Sequence, residues 1–297
     1  MVQSWLHAFR LRTLPLALSC IGMGGFLAAA DGVFVWDIFL LAALTTVFLQ
    51  ILSNLANDYG DAVSGIDSEE RKGPKRAVQS GAITKQQMQV AMLVFVLLSL
   101  ASGITLLLIS FGLNWSALLF FFGLGLLSIA AAIAYTVGRR PYGYSGLGDI
   151  SVLIFFGLVG VMGSYYLFAQ QLRIELVLPA LSCGLFSIGV LNINNIRDIE
   201  SDQKAGKFSI PVRIGKQKAA YYHSMLTVLG IASALAFVAL DFKNAWQLLF
   251  LIVVPFFYSI SAAVKNKPSE QLDPYLKRMA ISTLLFVLLF GIGMLSA

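Results

Sequence analysis

The chain has 297 residues, of which 58% are hydrophobic and only 12% are charged, about half the charged share of a typical soluble domain. This composition excludes soluble, disordered, coiled-coil and collagen-like proteins and indicates a polytopic membrane protein. The net charge of +6 would suggest a nucleic-acid partner in a soluble protein. Basic loops on the cytoplasmic side of a membrane explain the charge instead, so no nucleic-acid partner is expected. Two cysteines and two histidines are too few for a disulfide framework, a zinc site or a histidine-rich metal centre.

Nine apolar stretches are long enough to cross a bilayer, which requires about 20 residues of helix. They lie at 13–30, 37–56, 87–110, 115–136, 150–170, 174–196, 217–240, 245–264 and 278–296. The sequence therefore predicts an all-α polytopic membrane protein with nine transmembrane helices. The first stretch lacks a small-residue cleavage site followed by polar sequence, so we interpret it as a span and not as a signal peptide.

Lysine and arginine are divided very unevenly between the two sets of loops. Of the 21 basic residues, all but Arg173 and Lys243 lie in the N-terminal segment or after the second, fourth, sixth and eighth spans. Basic residues concentrate on the cytoplasmic side of a membrane. The pattern predicts a multi-pass protein of the inner (cytoplasmic) membrane with its N-terminus in the cytoplasm and its C-terminus outside. An odd number of spans agrees with this orientation.

Two long, charged loops follow the second and sixth spans, at 54–81 and 192–215. Both contain polar residues at a spacing of four, and each ends in a basic stretch and a short apolar-x-glycine segment. The matched positions are Asn57, Asp61 and Gly65 in the first loop and Asn194, Asp198 and Asp202 in the second. We interpret the loops as a weak internal repeat within a single domain at 1–297, with halves at about 1–140 and 141–297. Two matched copies predict one shared site.

Oxygen-bearing side chains are concentrated in the two motifs. A spacing of four places residues on one helical face, where like charges repel unless a cation lies between them. Carboxylate and amide oxygens without nearby histidine or cysteine favour Mg²⁺, which takes one or two carboxylates together with water and substrate phosphate. The alternative is an ordinary solvated loop. The candidate metal ligands are Asn57, Asp58, Asp61, Asp67, Asn194, Asp198 and Asp202.

Basic residues beside the motifs are candidates for binding phosphate oxygens. For each of them the alternative is the general excess of positive charge in cytoplasmic loops. The candidates are Lys72, Arg76, Arg139 and Lys207.

These motifs resemble those of the UbiA superfamily of intramembrane aromatic prenyltransferases. Its members carry N-D-x-x-D after the second helix and D-x-x-x-D after the sixth, which here lie at 57–61 and 198–202. Some members have a third acid four residues after the second aspartate, where this chain has Gly65 and then Asp67. Features of one subgroup occur in order: NDYGD at 57–61, GPKRAVQSG at 73–81, YTVGRRPYGYSGLGD at 135–149 and NNIRDIESDQKAGK at 194–207. The resemblance extends from Arg10 through the ninth span.

The resemblance implies nine helices around a central cavity that both motifs cap on the cytoplasmic side and that opens laterally to the lipid bilayer. It implies transfer of a polyprenyl chain from a polyprenyl diphosphate to an aromatic acid acceptor, with Mg²⁺ as cofactor. The subgroup features favour 1,4-dihydroxy-2-naphthoate as acceptor, with loss of its carboxylate as CO₂ to give demethylmenaquinol. A sister reaction on another acceptor, such as 4-hydroxybenzoate, is the first alternative.

Five residues receive individual roles in this reaction. Asp61 and Asp198 would bridge Mg²⁺ to the diphosphate, and the Tyr135 ring would stabilise an allylic cation. Asp149 would accept a phenolic proton or orient the acceptor ring, and Arg10 would bind a substrate. Tyr135 has an alternative as an interfacial tyrosine, Asp149 as the N-cap of the fifth span, and Arg10 as an anchor at the membrane surface.

An ion-coupled transporter with an internal repeat is the remote alternative. Transporters place ionisable groups near the membrane midplane in interrupted helices. Here the central parts of the spans contain no Asp, Glu, Lys or Arg. The acids cluster at one end of the spans, which favours an enzyme.

Overall fold

The computed structural model describes residues 2–65 and 76–297, and within these ranges the chain forms helices joined by short loops. Nine helical segments in the described ranges are long and apolar enough to cross a membrane, which confirms the predicted architecture. The helices are α1 (Val2–Phe9), α2 (Leu14–Ala30), α3 (Trp36–Val63), α4 (Lys85–Phe111), α5 (Trp115–Ala134), α6 (Gly148–Ala169), α7 (Ile174–Arg197), α8 (Ile199–Lys204), α9 (Ile210–Ile214), α10 (Lys216–Leu240), α11 (Ala245–Asn266) and α12 (Asp273–Leu295).

A short helix that the sequence analysis did not predict precedes the first span. Helix α1 packs against the bundle through Phe9, whose ring lies 5.4 Å from that of Phe95 in α4, centroid to centroid. Arg10 separates α1 from the 3₁₀ turn that leads into α2, with φ of 47° in the left-handed region. This conformation is uncommon for any residue other than glycine and is found mostly at turns or functional positions.

Small residues bring the helices of the bundle into close contact. A Cβ atom on Gly157 of α6 would lie 2.8 Å from the Ala180 carbonyl oxygen of α7, so only glycine permits this approach. Membrane helices commonly pack through such small residues, because lipid supplies no hydrophobic force that drives the helices together. Gly157 lies in a stretch at Leu153–Gly163 where α6 widens to i→i+5 hydrogen bonding.

Successive spans run in opposite directions, so the two acidic motifs lie at the same end of the bundle. Helices α3, α5 and α7 end there, and α2 and α6 begin there. The motif at 57–61 occupies the last turns of α3, and the motif at 198–202 directly follows α7. Two loops that are far apart in sequence therefore lie at the same end.

Candidate active site

One cavity of about 440 Å³ runs into the bundle from the end that carries the two motifs. Its charged end is lined by Arg10, Asn57, Asp61, Arg76, Asn194 and Lys207. Its deeper part is lined largely by apolar side chains, among them Ile21, Leu107, Phe121, Phe156 and Leu167. The cavity joins a polar and an apolar compartment, and it brings Asn57 and Asp61 together with Asn194. Among the described residues, Asp198 and Asp202 do not belong to its lining.

Asp61 is the central acid of the first motif and is 3% exposed. Its carboxylate forms an ion pair with Arg76, and the Tyr144 hydroxyl donates to its Oδ1 atom at 2.5 Å. Because Asp61 lies in the last turn of α3, where the helix dipole disfavours negative charge, it requires such donors. Burial and the adjacent Asp61 carboxylate raise the pKa of Tyr144 above its ordinary value, so this phenol remains a hydrogen-bond donor.

The Asp58 carboxylate anchors the loop that follows α3. Its carboxylate oxygens accept hydrogen bonds from the backbone amides of Ala77 at 3.2 Å and Val78 at 3.5 Å. Arg76 reinforces this anchoring, because its Nη1 atom donates to the Asn57 carbonyl oxygen at 2.6 Å. These backbone donors hold Arg76 beside Asp61, and the assignment of Asp58 as a metal ligand stays a prediction.

A close helix contact fixes the remaining residue of the first motif. The Asn57 Oδ1 atom accepts from the Thr136 hydroxyl at 3.2 Å. A Cβ atom on Gly60 would lie 2.5 Å from the Thr136 carbonyl oxygen, so glycine is required there for α3 to approach the segment after α5. The first motif is therefore held by packing against the segment that also supplies Tyr135 and Tyr144.

The second motif continues past the end of α7. Asp198 is the C-cap residue with φ of −101° and ψ of 14°, and its carboxylate receives two hydrogen bonds from Arg197. Asp202 lies in α8, and its Oδ2 atom is 2.9 Å from the Lys207 ammonium nitrogen. Burial raises the pKa of the Asp202 carboxyl, and Lys207 opposes this rise. Both acids are 3% exposed.

Tyr135 and Tyr142 form an aromatic wall at the charged end of the cavity. Their ring centroids are 5.3 Å apart and the ring planes are nearly perpendicular, at 87°. Burial and the nearby Asp149 carboxylate raise the pKa of Tyr135, so it remains a neutral phenol. Its position in the cavity wall favours a substrate contact over a place among the interfacial tyrosines.

Asp149 is buried in the first turn of α6 and accepts a hydrogen bond from the Tyr222 hydroxyl at 2.8 Å. The N-cap position is occupied by Leu147, because α6 begins at Gly148, one residue earlier than the sequence suggests. The capping alternative for Asp149 was therefore wrong. Its carboxylate is instead positioned by α10 beside Tyr135.

The donor set of the motifs suits a hard divalent cation. It consists of carboxylate and amide oxygens, which Mg²⁺ prefers. The buried Oδ1 atom of Asn195, in the wall of the same cavity, has no hydrogen-bond partner in the described structure. Within residues 2–65 and 76–297, no three His, Cys, Asp or Glu side chains lie close enough together to hold a metal by themselves. Mg²⁺ needs only one or two carboxylates beside a substrate phosphate, so the residues fit.

Some predicted residues lie away from the cavity. Arg139 is exposed beyond the end of α5, where the chain turns at Gly138 with φ of 124°, and its binding of the diphosphate stays a prediction. Asp67 and Lys72 lie outside the described residues. Arg76, Lys207 and Arg10 line the charged end, and their binding of substrate stays a prediction.

Sequence reasoning missed two residues that contact the motif acids. Tyr144 belongs to the stretch at 135–149 that carries the resemblance, which was a signal that could have identified it. Arg197 directly precedes Asp198, but its contacts depend on the turn of the chain at the end of α7.

Comparison with known proteins agrees with this geometry. The chain matches the UbiA prenyltransferase family over residues 17–284. It is 44% identical over 299 residues to the 1,4-dihydroxy-2-naphthoate octaprenyltransferase of Haemophilus influenzae, covering 99% of this chain and 96% of that protein. It is 45% identical over 292 residues to the protein of the same name from Escherichia coli, covering 98% and 94% of the two chains.

A solved structure has the same fold. A UbiA homolog from Archaeoglobus fulgidus bound to GPP and Mg²⁺ superposes with a TM-score of 0.63 at 16% identity, covering 99% of this chain and 100% of that chain. The family match spans most of the described bundle and both acidic motifs. We conclude that this chain belongs to the UbiA prenyltransferase family.

Proposed function

We propose that the protein transfers a polyprenyl chain from an allylic diphosphate to 1,4-dihydroxy-2-naphthoate and releases the acceptor carboxylate as CO₂, giving demethylmenaquinol. The C–O bond to the diphosphate breaks, a C–C bond to the ring forms, and diphosphate and CO₂ leave. The observation that carries the proposal is one cavity that combines a charged end with an apolar body. The names of the relatives at 44% and 45% identity support the naphthoate acceptor.

The charged end provides the binding site for the diphosphate. Arg76 and Lys207 line it, each paired with a motif acid, and Arg10 lies beside them. Arginine binds phosphate oxygens in a two-pronged geometry, whereas lysine acts as a point charge. An incoming diphosphate adds negative charge where three cations converge, so the reactive end of the prenyl chain is fixed at this end.

We propose Mg²⁺ as the cofactor at the same end, held by Asn57, Asp61, Asn194, Asp198 and Asp202. When bound, the ion supplies neutralisation of the charge that develops on the departing diphosphate. The UbiA homolog bound to GPP and Mg²⁺ supports this choice of ion. Asp61 and Asp198 are the acids that we place nearest to the chemistry.

The apolar body of the cavity accommodates the prenyl chain and excludes water from the reacting carbon. Water would otherwise capture an allylic cation before the acceptor ring reaches it. The Tyr135 ring lies where the apolar wall meets the charged end, and aromatic faces stabilise cations. We propose that Asp149, next to Tyr135, orients the acceptor or accepts its phenolic proton.

Product analysis tests the proposed reaction. Membranes that contain the protein, incubated with Mg²⁺, 1,4-dihydroxy-2-naphthoate and octaprenyl diphosphate, should yield a prenylated naphthalenediol whose mass shows the loss of CO₂. The matched incubation replaces the acceptor with 4-hydroxybenzoate. Prenylation of 4-hydroxybenzoate alone would assign the protein to the sister reaction, and no prenylated product with either acceptor would refute the proposal.

We propose that the charged end faces the cytoplasm, which gives water-soluble acceptors access to it. Gln203 in α8 and Gln171 in the loop after α6 are exposed at opposite ends of the bundle, whereas both native cysteines are buried. In intact cells, a membrane-impermeant thiol reagent should label the Gln171→Cys variant, and the Gln203→Cys variant only after the membrane is opened. The reverse pattern would refute this orientation.

A further inference from the structure

Arg197 is a buried arginine at the end of α7, with a side chain that is 0% exposed. A guanidinium group in such a position is stable only when nearly all of its N–H groups have acceptors. Here its acceptors come from Asp198, Asn194 and Asp273. Two of these three residues are candidate metal ligands, and the third is the first residue of α12.

The guanidinium fixes the orientation of the second motif. Its Nε atom donates to Asp198 Oδ1 at 2.9 Å, and its Nη2 atom donates to Asp198 Oδ2 at 2.7 Å. Side chains of consecutive residues in a helix do not face each other. The contact is possible because Asp198 has left helical geometry, with ψ of 14°. The same Nη2 atom donates to Asn194 Oδ1 at 2.9 Å, so one planar group aligns both residues.

The other side of the guanidinium connects to α12 and, through it, to the turn before α2. Its Nη1 atom donates to Asp273 Oδ1 at 2.5 Å, and Asp273 Oδ2 accepts from Arg12 Nη1 at 2.9 Å. Arg12 lies in the turn before α2 and lines the cavity. Negative and positive groups therefore alternate from Asp198 through Arg197 and Asp273 to Arg12.

We propose that Arg197 is a positioning residue, which holds the Asp198 carboxylate and the Asn194 amide in the orientation that binds the divalent cation. Each carboxylate oxygen has more than one acceptor site, so Asp198 can bind a cation while it accepts from Arg197. Asp273 holds Arg197 from the opposite side. The inference rests on the proposed function, because it concerns the metal site of that reaction.

Replacement of Arg197 by lysine separates orientation from charge. Lysine keeps the positive charge but cannot donate to both carboxylate oxygens and to Asn194 in a planar array. Loss of a residue that orients a metal ligand typically weakens metal affinity about 10- to 100-fold. We expect the Arg197→Lys variant to bind Mn²⁺ about 10- to 100-fold more weakly, as measured by the EPR signal of free Mn²⁺ with the purified full-length protein and inorganic diphosphate.

Arg213→Lys is the matched control. Arg213 donates to the backbone carbonyls of Phe208 and Ser145, at 3.0 and 2.8 Å, in the same region of the protein. Its replacement should leave Mn²⁺ affinity within about twofold of wild type, a free-energy change below about 0.5 kcal/mol. Equal Mn²⁺ affinity in Arg197→Lys and wild type, or an equal loss in Arg213→Lys, would overturn the proposal.

Asp273→Asn provides a second test if Arg197→Lys fails to fold. Asp273 is 28% exposed at its side chain, so this change is milder, yet it removes the charge that holds the Nη1 side of Arg197, opposite Asp198. Mn²⁺ affinity should fall severalfold, and unchanged affinity would contradict the proposal. Product formation by the wild-type protein is scored separately: no product refutes the proposed function, whereas product formation with unaltered Mn²⁺ affinity in the variants refutes the role of Arg197 alone.

Discussion

Asp61→Asn and Asp198→Asn should each lower turnover by very roughly 10²- to 10⁴-fold. Asparagine keeps the shape of the side chain and one oxygen but removes the anionic ligand. Electrostatic help of this kind is worth several kcal/mol, and each 1.36 kcal/mol is a tenfold change in rate. The double variant should be little worse than either single one, because residues that act as a unit are not additive.

The measurement must be turnover per correctly inserted molecule. Asp61 is buried against Arg76, and loss of one partner from a buried ion pair typically costs about 3–5 kcal/mol of stability. Some loss of folded protein is therefore expected. The measured rate should be divided by the amount of folded protein, quantified after size-exclusion chromatography. A variant that retains more than about a third of wild-type turnover at saturating Mg²⁺ would contradict the two-motif site, since that loss is below 1 kcal/mol.

Asp31→Asn is a control with the same kinds of partner at a more exposed position, where the Asp31 side chain is 31% exposed. Asp31 lies at the opposite end of the bundle and also accepts from one tyrosine and one arginine, with Tyr165 at 2.6 Å and Arg173 at 2.7 Å. The substitution breaks the same kind of contact without touching the cavity. We expect turnover per folded molecule near that of wild type, so a comparable loss in Asp31→Asn would assign the effect to stability.

Removal of divalent cations should lower turnover more than about 100-fold, while the protein stays folded. The oxygen-donor motifs and the charge of a diphosphate require a hard cation. The apoprotein should remain folded, because Asp61, Asp198 and Asp202 are each paired with a cation of the chain itself. Washed membranes should therefore lose activity in excess EDTA and regain it with Mg²⁺ or Mn²⁺.

Two further measurements distinguish loss of the cation from loss of the fold. Thermal unfolding of the purified protein should shift little in EDTA before substrate is added, which distinguishes loss of the cofactor from loss of structure. Recovery with Mg²⁺ shows that the loss is reversible. Undiminished activity in EDTA after extensive washing would refute the metal requirement.

The spans and the charged end of the bundle could be predicted because both depend on one-dimensional properties. Apolar length identifies a transmembrane helix. A spacing of four predicted that Asn194 and Asp198 lie close together, and the structure joins them through Arg197 at the point where the helix ends. The matched motif at 57–61 then implied a shared site, and Asn57, Asp61 and Asn194 line one cavity.

Contacts between distant residues could not be predicted in the same way. Arg197 and Asp273 are 76 residues apart, and only the packing of α12 against α7 makes them neighbours. Asp58 and Asp61 have different hydrogen-bond partners because the chain folds back and presents the amides of Ala77 and Val78 to Asp58. The break at Arg10 has no periodic signal, whereas α1 has one that the sequence analysis did not use, because Val2, Trp5, Leu6 and Phe9 recur at helical spacing.

The ion pairs of the two motifs bear on how the protein is assembled during synthesis. Asp198 pairs with the preceding residue, Asp202 with Lys207, and Asp61 with Arg76 in the loop that follows its own helix. Such short closures cost little chain entropy, so they can form as soon as each loop leaves the ribosome. Each motif acid can thus be neutralised before the bundle closes.

Helix α12 is synthesised after both partners of Asp273 and completes the network. Asp273 joins Arg197 and Arg12, which precede it by 76 and 261 residues, only when α12 inserts. The insertion of α12 therefore fastens the first and sixth spans together.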